Sequence, residues 1–302
     1  MNELIRIFCK NTQSYIEIPV GMSLSEIYQR LNIHLPWLCV GAQVNNRAEG
    51  LNYRVYKPKD IEFIDISSLS GMRIYIRSLC FVLYMASDEI IPNCKLRIGH
   101  SISHGIYCTI NQKQHITDEQ IQQIKERMTE IIKADMPFKH EVCHMQEAVK
   151  LFEEKNMLDK VDLLESSGML YTDYYRLNNH IDYYYGCLLP STGLLYAFDL
   201  QRYDEGLILI GPKRLQPNLL EEVKPQPKMM HIIEEFTYYN DVAGLSNVGR
   251  MNKMVQKGKA GILLHVSEAL QEKKIVAIAD PHKFIIHGRC NIARFTCGYY
   301  GD

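Results

Sequence analysis

At positions 182–193 the chain reads Asp-Tyr-Tyr-Tyr-Gly-Cys-Leu-Leu-Pro-Ser-Thr-Gly, and this stretch decides both the fold and the functional class that the sequence predicts. Three tyrosines run together in it, and they belong to a larger cluster. Tyrosine is frequent in half-buried strands, although its ring can also stack on bases or close a pocket. We interpret most of the cluster as strand residues. The cluster comprises Tyr171, Tyr174, Tyr175, Tyr183, Tyr184 and Tyr185.

The composition is that of an ordinary globular protein. The 302 residues are 46% hydrophobic and 23% charged, with a net charge of −1. This length predicts two or three domains with a core that needs no disulfides or metals. The balanced charge gives no global argument for nucleic acid binding, although a local basic face stays open.

Targeting features point to a cytoplasmic protein. The N-terminus has no basic segment followed by an apolar run, and the nine cysteines lack Cys-x-x-Cys spacing, which indicates free thiols. The most apolar stretch, 74–91, is interrupted by charged residues and is too short to span a bilayer. We therefore predict a buried helix there and no membrane partner.

Residues 1–67 predict a β-grasp unit, in which one helix covers a sheet. Ser23 and Glu26 form a capping box that begins a helix over 24–31. Asn45-Asn46 predicts a tight turn between two strands. The strands are expected over 4–8, 15–18, 38–44, 53–56 and 61–66, where apolar residues alternate or cluster.

Residues 68–210 predict an α+β unit. A buried helix over 73–90 ends before Pro92. Thr117 caps a further helix whose apolar residues share one face. A third helix is expected over 145–154, and strands are expected near 96, 106–110, 161–164, 174–177, 194–198 and 207–210.

Residues 211–302 predict a linker and a helical connector. The prolines between 211 and 227 are typical of an irregular connection. Helices are expected over 229–239, 248–256 and 261–273.

The opening stretch resembles the loop of the threonyl-tRNA synthetase editing domain, whose pattern is Asp-x-Cys-x-Gly-x-His-x-Pro-x-Thr-Gly. The order of the two units over residues 1–210 also resembles the front of that enzyme, where the first unit is a TGS domain. The resemblance implies an α+β fold with a TGS-like domain at 1–67 and an editing-like domain at 68–210. The matching scaffold residues are Asp182, Gly186, Pro190, Thr192 and Gly193.

The positions that bind metal or act in catalysis in that family are all changed here. A phrase over 92–107 resembles the family's Pro-Asp-x-x-x-x-Ile-Gly-Pro, and counting back from it places the family's His-x-x-x-His pair on Arg77 and Phe81. The loop's Cys and His fall on Tyr184 and Leu188. Zinc is usually bound by imidazole nitrogen, thiolate or carboxylate, and these four side chains supply none of them. We predict a degenerate site without metal and name no catalytic residue.

The resemblance also implies a pocket that could keep a ligand. Lys160 and Asp182 match the family's lysine and acid, Tyr107 matches its aromatic residue, and Tyr184 is expected to point to the former metal position. Such groups could hold a small polar or anionic ligand. The alternative, that they are structural remnants, stays open.

A second resemblance concerns bacterial uridine kinases, which carry similar domains ahead of a phosphate-loop kinase. The segment 268–280 resembles their linker, and 283–286 could be the first kinase strand. Residues 288–296 lack the Gly-x-x-x-x-Gly-Lys-Ser/Thr sequence that wraps phosphates. The resemblance therefore implies a missing kinase domain as partner. It implies no cofactor for this chain, with ATP and Mg²⁺ needed only by the kinase.

Two histidine pairs imitate metal sites. The sequence His140-Glu141-Val142-Cys143-His144 matches the zincin pattern, which needs both histidines on one helix. We expect this segment to be a strand entering a helix, where residues four apart are too distant to chelate easily. His100 and His104 are expected in a turn at a strand end, as surface groups.

These observations lead to a main functional hypothesis and two alternatives. The main one is a non-catalytic regulatory or ligand-binding N-terminal region of a uridine kinase-like or nucleoside kinase-like protein, inactive as an enzyme by itself. The first alternative is a residual metal-free aminoacyl-tRNA editing hydrolase that uses Lys160 and Asp182. The second is an RNA-binding module acting through the TGS-like unit, which a basic face over 1–67 would favour.

Overall fold

The computed structural model describes residues 3–92, 94–110 and 116–279. Over these ranges the chain is α+β, which confirms the predicted class. The strand expected at 283–286 and the segment 288–296 lie outside the described residues.

The first unit is a mixed five-stranded sheet covered by one helix, as expected for a β-grasp. Its elements are β1 (Leu4–Cys9), β2 (Ser14–Pro19), β3 (Met22–Ser23), α1 (Leu24–Leu31), β4 (Cys39–Val44), β5 (Arg47–Glu49), β6 (Arg54–Val55) and β7 (Asp60–Asp65). The strand order is β2-β1-β7-β4-β5, with β1 and β7 parallel. The capping box is present, because the Ser23 hydroxyl accepts the Glu26 amide and the Glu26 carboxylate accepts the Ser23 amide. Its relation to TGS domains stays a prediction.

The second unit combines four helices with two sheets. Its helices are α2 (Leu69–Ile90), α3 (Asp118–Lys133), α4 (Met145–Glu154) and α5 (Leu158–Glu165). Its strands are β8 (Leu96–Ile102), β9 (Gly105–Ile110), β10 (Lys139–His144), β11 (Tyr171–Leu177), β12 (His180–Asp182), β13 (Asp199–Tyr203) and β14 (Gly206–Ile210). One sheet has the order β13-β14-β9-β8 and the other the order β10-β11-β12.

Helix α2 is the central element of the molecule. It is long and apolar enough to satisfy the criteria for a membrane span, but most of its residues are buried inside the fold. A buried core helix satisfies the same criteria, so α2 is weak evidence for a membrane. Val40, Ile64 and Ile66 of the first unit share one core with α2 and the second unit. The predicted buried helix is therefore confirmed, and it joins the two units.

Two predicted strands are wrong. Residues 161–164 lie in α5, where Val161 and Leu164, three residues apart, are buried on one helix face. Leu194 ends a 3₁₀ turn (Thr192–Leu194), and residues 195–198 connect this turn to β13. The turn forms because the buried Thr192 hydroxyl donates to the Ile131 carbonyl and accepts the Met136 amide, a tertiary contact that strand propensity does not register.

The C-terminal region is more regular than the linker prediction. A short hairpin, β15 (Pro212–Lys213) and β16 (Gln216–Leu220), occupies part of the proline-rich segment. The predicted helices are confirmed as α6 (Pro227–Val242), α7 (Val248–Gln256) and α8 (Ala260–Ala279). Helix α7 packs on α5, where Lys253 Nζ lies 2.6 Å from Asp162 Oδ1.

Candidate functional site

The four positions implied to be degenerate metal positions converge where α2 meets the loop after β12. Phe81 is fully buried on α2, and its ring centroid lies 5.5 Å from that of Tyr184. Leu188 is buried in the same core. The loop is fixed by its backbone, since the Leu189 amide donates to Ser78 Oγ at 2.8 Å. Packed side chains therefore fill the space at these positions.

Tyr184 lies at a position where the resemblance implies a metal ligand, but its side chain is poorly suited to bind a metal. Its hydroxyl oxygen is buried beside Asp182 without a hydrogen bond of ordinary geometry. Burial raises the pKa of Tyr184 well above its usual range, and the Asp182 carboxylate raises it further. The phenol stays protonated at neutral pH, whereas a metal ligand must present a lone pair on a deprotonated atom.

The Arg77 side chain binds backbone carbonyls of the loop after β12. Its Nη1 donates to the carbonyls of Tyr185 at 3.3 Å and Cys187 at 3.0 Å, and its Nε donates to that of Arg73 at 3.1 Å. Gly186 makes this approach feasible. Its φ is +117°, and a Cβ there would lie 2.1 Å from Arg77 Nη1. A guanidinium cation therefore stands at a position where the resemblance implies a metal ligand.

The residues present do not fit a zinc ion. Arg77 is a cation, Phe81 and Leu188 have no lone pairs, and Tyr184 is a buried neutral phenol. Among the described residues, no group of three or more His, Cys, Asp or Glu side chains is placed to hold a metal. No chemical step at this site is derived through a metal.

We expect purified protein to contain less than one-tenth of an equivalent of zinc, measured by mass spectrometry of the metal content after dialysis. Stoichiometric zinc that is lost in a Tyr184→Phe variant would contradict this assignment. A Cys143→Ala variant is the control, because Cys143 lies on β10, outside this loop.

Lys160 and Asp182 form an ion pair next to the filled core. Lys160 Nζ on α5 lies 2.9 Å from Asp182 Oδ1 at the end of β12. Asp182 is only 6% exposed, and its Oδ1 also accepts the Tyr183 amide at 2.7 Å. Burial alone would lower the pKa of Lys160, but the charge and hydrogen bond of Asp182 outweigh it and raise that pKa. Lys160 is thus held as a cation by its partner.

Tyr107 does not join this pair, which corrects the grouping of the pocket candidates. It lies on β9, where neighbouring side chains alternate between sheet faces. Its ring packs 6.2 Å from Tyr203 and belongs to a cluster with Ile208 and Met230 of α6. Cys108, the next residue, faces the main core instead.

The pair His140 and His144 is engaged in other contacts. His140 lies on β10 with Nε2 2.8 Å from Asp173 Oδ2, while His144 caps α4. Glu141, the base in the zincin pattern, is bound by Arg176 and Tyr174. The strand-to-helix prediction is confirmed for this segment. His104 lies in the turn after β8, as predicted, but the turn prediction is wrong for His100, which lies within β8 because the strand continues to Ile102.

The sequence did not predict one polar contact near the Lys160–Asp182 ion pair. His180 Nε2 lies 3.0 Å from Asp88 Oδ2, and its ring meets Tyr84 edge-on at 5.6 Å. Asp88 and His180 are 92 residues apart, so no local spacing signals the contact. A hint in the sequence was the charge of Asp88 directly after the uncharged run 78–87 of α2.

Curated relatives match between 61% and 65% of the chain. The threonine–tRNA ligase of Clostridium kluyveri is 29% identical over 198 residues, which cover 65% of this chain and 31% of the ligase. The ligase of Rubrobacter xylanophilus is 29% identical over 62% of the chain, and that of Carboxydothermus hydrogenoformans 26% over 61%. In both, 29% of the ligase is covered. No protein-family model matches the chain.

The chain spans about a third of the length of the relatives it matches. These relatives support the resemblance to threonyl-tRNA synthetase and lend no support to a nucleoside kinase parent. The chain is therefore similar to a region of threonine–tRNA ligase.

Proposed function

We propose that the chain is a non-hydrolytic RNA-binding module derived from a tRNA ligase-like region. Its similarity to proteins named threonine–tRNA ligase supports a link to tRNA. The packed side chains at the former ligand positions argue against retained editing chemistry. The observation that carries the proposal is an aromatic surface on the first unit.

That surface, the Tyr15 platform, comprises Arg6, Phe8 and Tyr15 on β1 and β2. The Phe8 and Tyr15 rings lie 5.0 Å apart, and Arg6 Cζ lies 4.2 Å from the centroid of the Tyr15 ring. Tyr15 is 63% exposed on an edge strand of the sheet. Exposed aromatic rings with an adjacent arginine are the usual means of stacking single-stranded bases without sequence preference.

Charge contributes little at this platform. Residues 1–67 contain seven Lys and Arg and seven Asp and Glu, so the basic face that would favour RNA is not evident from the charge balance. Lys10, next along β1, lies 3.4 Å from Glu62. Stacking therefore supplies most of the affinity here, and salt weakens binding less than it does for proteins that neutralise many phosphates.

The test is an anisotropy titration with fluorescently labelled tRNA and single-stranded RNA. We expect Tyr15→Ala to weaken single-stranded RNA binding roughly tenfold, because a base–aromatic stack contributes about 1–3 kcal/mol. Tyr56→Ala is the matched control, since Tyr56 is similarly exposed at 62% but lies beyond β6, away from the platform. Equal binding by wild type and Tyr15→Ala, or no binding by wild type, would refute the proposal.

A metal-free aminoacyl-tRNA hydrolase is the second candidate, and the Lys160–Asp182 pair is what favours it. A general base must reach the proton it removes, whereas Asp182 is buried and neutralised by Lys160. The pair therefore suits a structural contact better than proton transfer. Release of amino acid from aminoacyl-tRNA by wild type, abolished in Asp182→Asn, would replace our proposal with this one.

We also infer a cytoplasmic location. The ligase relatives are in keeping with it, and the seven described cysteines are all free thiols, as a reducing compartment predicts.

A further inference from the structure

Helix α8 carries a stripe of mostly apolar side chains that the rest of the described chain leaves open. The α8 stripe comprises Ile262, Val266, Ala269, Lys273 and Val276, whose spacings of four and three residues place them along one helix face. Ile262 is 57% exposed, Val266 45% and Val276 68%. None of the α8 side chains that the structure describes is buried.

Helix α6 covers a different side of α8. Lys274 Nζ lies 2.9 Å from Glu235 Oε2 of α6. Leu263 and Leu270 share a face with Lys274, and both are less exposed than the residues next to them. This face is turned by roughly 100° from the α8 stripe. Contact with α6 therefore leaves the stripe open to a partner.

The helices around this stripe hold much of the exposed apolar surface. Thirteen of the thirty large hydrophobic residues that are exposed in the described chain lie in 227–277. Monomeric proteins rarely gather apolar side chains in this way, whereas interaction surfaces do. A stable dimer needs about 20–30 residues from each partner. Helix α8 has 20 residues and α6 lies beside it, so this region is large enough for such an interface.

The sequence of α8 is complementary to itself when two copies run antiparallel. If the pair is centred on residue 271, Val266 of one copy lies opposite Val276 of the other, and Ala269 lies opposite Lys273. The small Ala269 side chain leaves room for the aliphatic part of Lys273, whose ammonium group reaches the edge of the contact. The stripe then forms a continuous seam between the two helices.

Charge selects this orientation. Parallel copies would set Lys273 directly against Lys273, and like charges there would repel. In the antiparallel pair, Lys273 of one copy lies within reach of Glu272 of the other, so two cations and two carboxylates meet at the centre. The helix dipoles also favour the antiparallel arrangement. A second copy of this chain therefore suits both the shape and the charge of the stripe.

We propose that two copies of the chain associate through antiparallel pairing of their α8 helices, with Val266 and Val276 in the contact. The interface lies on the C-terminal helices, away from the Tyr15 platform on β1 and β2, and it does not depend on RNA binding.

Sedimentation velocity of the full chain, from low to high micromolar concentration and without RNA, tests the proposal. We expect a dimer, and we expect Val266→Glu to weaken it roughly tenfold or more, because each dimer would bury two new carboxylates. Leu264→Glu is the matched control and should leave the dimer unchanged. Leu264 is 63% exposed on the same helix, but it lies on the side opposite the stripe. Circular dichroism of both variants checks that the helices are intact.

Charge reversal and cross-linking test the orientation. We expect Glu272→Lys to weaken the dimer and the double variant Glu272→Lys, Lys273→Glu to restore it. In a mixture of Val266→Cys and Val276→Cys chains, oxidation should link the two variants. In either variant alone, the two new thiols lie about 15 Å apart along the helices, which is beyond the reach of a disulfide. Wild type oxidised in parallel is the control for the native cysteines.

Three results would overturn the proposal. The first is a wild type that stays monomeric, which would assign the stripe to another protein or to a lipid surface. The second is a dimer that Val266→Glu and Leu264→Glu leave equally stable, which would place the interface elsewhere. The third is cross-linking of each cysteine variant with itself but not in the mixture, which would show a parallel pair. None of these results bears on RNA binding by Tyr15.

Discussion

Replacing Lys160 with alanine is expected to lower the free energy of unfolding by about 3 kcal/mol. The reason is Asp182, whose carboxylate is 6% exposed and pairs with no other cation among the described residues. A buried carboxylate without a partner costs far more than the pair contributes when intact. Urea denaturation near pH 7 measures the loss of stability. The dependence of the free energy of unfolding on urea concentration reports how much surface is exposed on unfolding.

The Lys160 prediction has two controls. Lys155→Ala removes an exposed lysine next to α4 and should change stability by less than about 0.5 kcal/mol. The double variant Lys160→Ala, Asp182→Asn removes both charges, so it should be more stable than the single Lys160 variant. A Lys160→Ala protein as stable as wild type would show that water or the Tyr183 amide suffices for Asp182.

We expect Gly71→Ala to lower the free energy of unfolding by about 3 kcal/mol as well, because there is no space for the added methyl group. A Cβ at Gly71 would lie 2.0 Å from the Asp65 carbonyl oxygen and 2.8 Å from Ser68 Oγ. Both atoms are fixed, since Ser68 Oγ donates to the Asp65 carbonyl and accepts the Gly71 amide. The start of α2 would have to shift away from β7.

Gly261→Ala is the matched control for that clash. Gly261 also lies in a helix, but nothing is within 4 Å of its missing Cβ. Alanine there should stabilise α8 by about 0.5–1 kcal/mol through helix propensity. Thermal melts of both variants separate the two effects, and equal melting temperatures for Gly71→Ala and wild type would contradict the steric argument.

Local signals made much of the fold predictable. Ser23 with Glu26 and Thr117 with Gln120 form capping boxes inside single segments, and the helices they begin were predicted correctly. The strand predicted over 161–164 is wrong because a short apolar run fits a strand or a helix face equally well. The strand predicted over 194–198 is wrong because the turn before it depends on Thr192, whose hydroxyl bonds to residues 56 and 61 positions away in sequence.

The site was less accessible to sequence reasoning. Resemblance, not spacing, suggested Lys160 and Asp182 as neighbours, and the structure places them 2.9 Å apart. Tyr107 was grouped with them, yet strand alternation turns its ring to the opposite sheet face. The contacts of Arg77 became visible only when the loop carbonyls around Gly186 were located, because a helix sequence does not reveal which backbone groups a side chain will reach.

The core that α2 shares with Val40, Ile64 and Ile66 has a consequence for genetic recombination. A chain divided at residue 67 would leave an apolar strip on the first sheet and an uncovered helix on the second unit, and such patches promote aggregation. A gene that received either half alone would encode a protein prone to aggregation. The smallest portable segment is therefore the pair of units together.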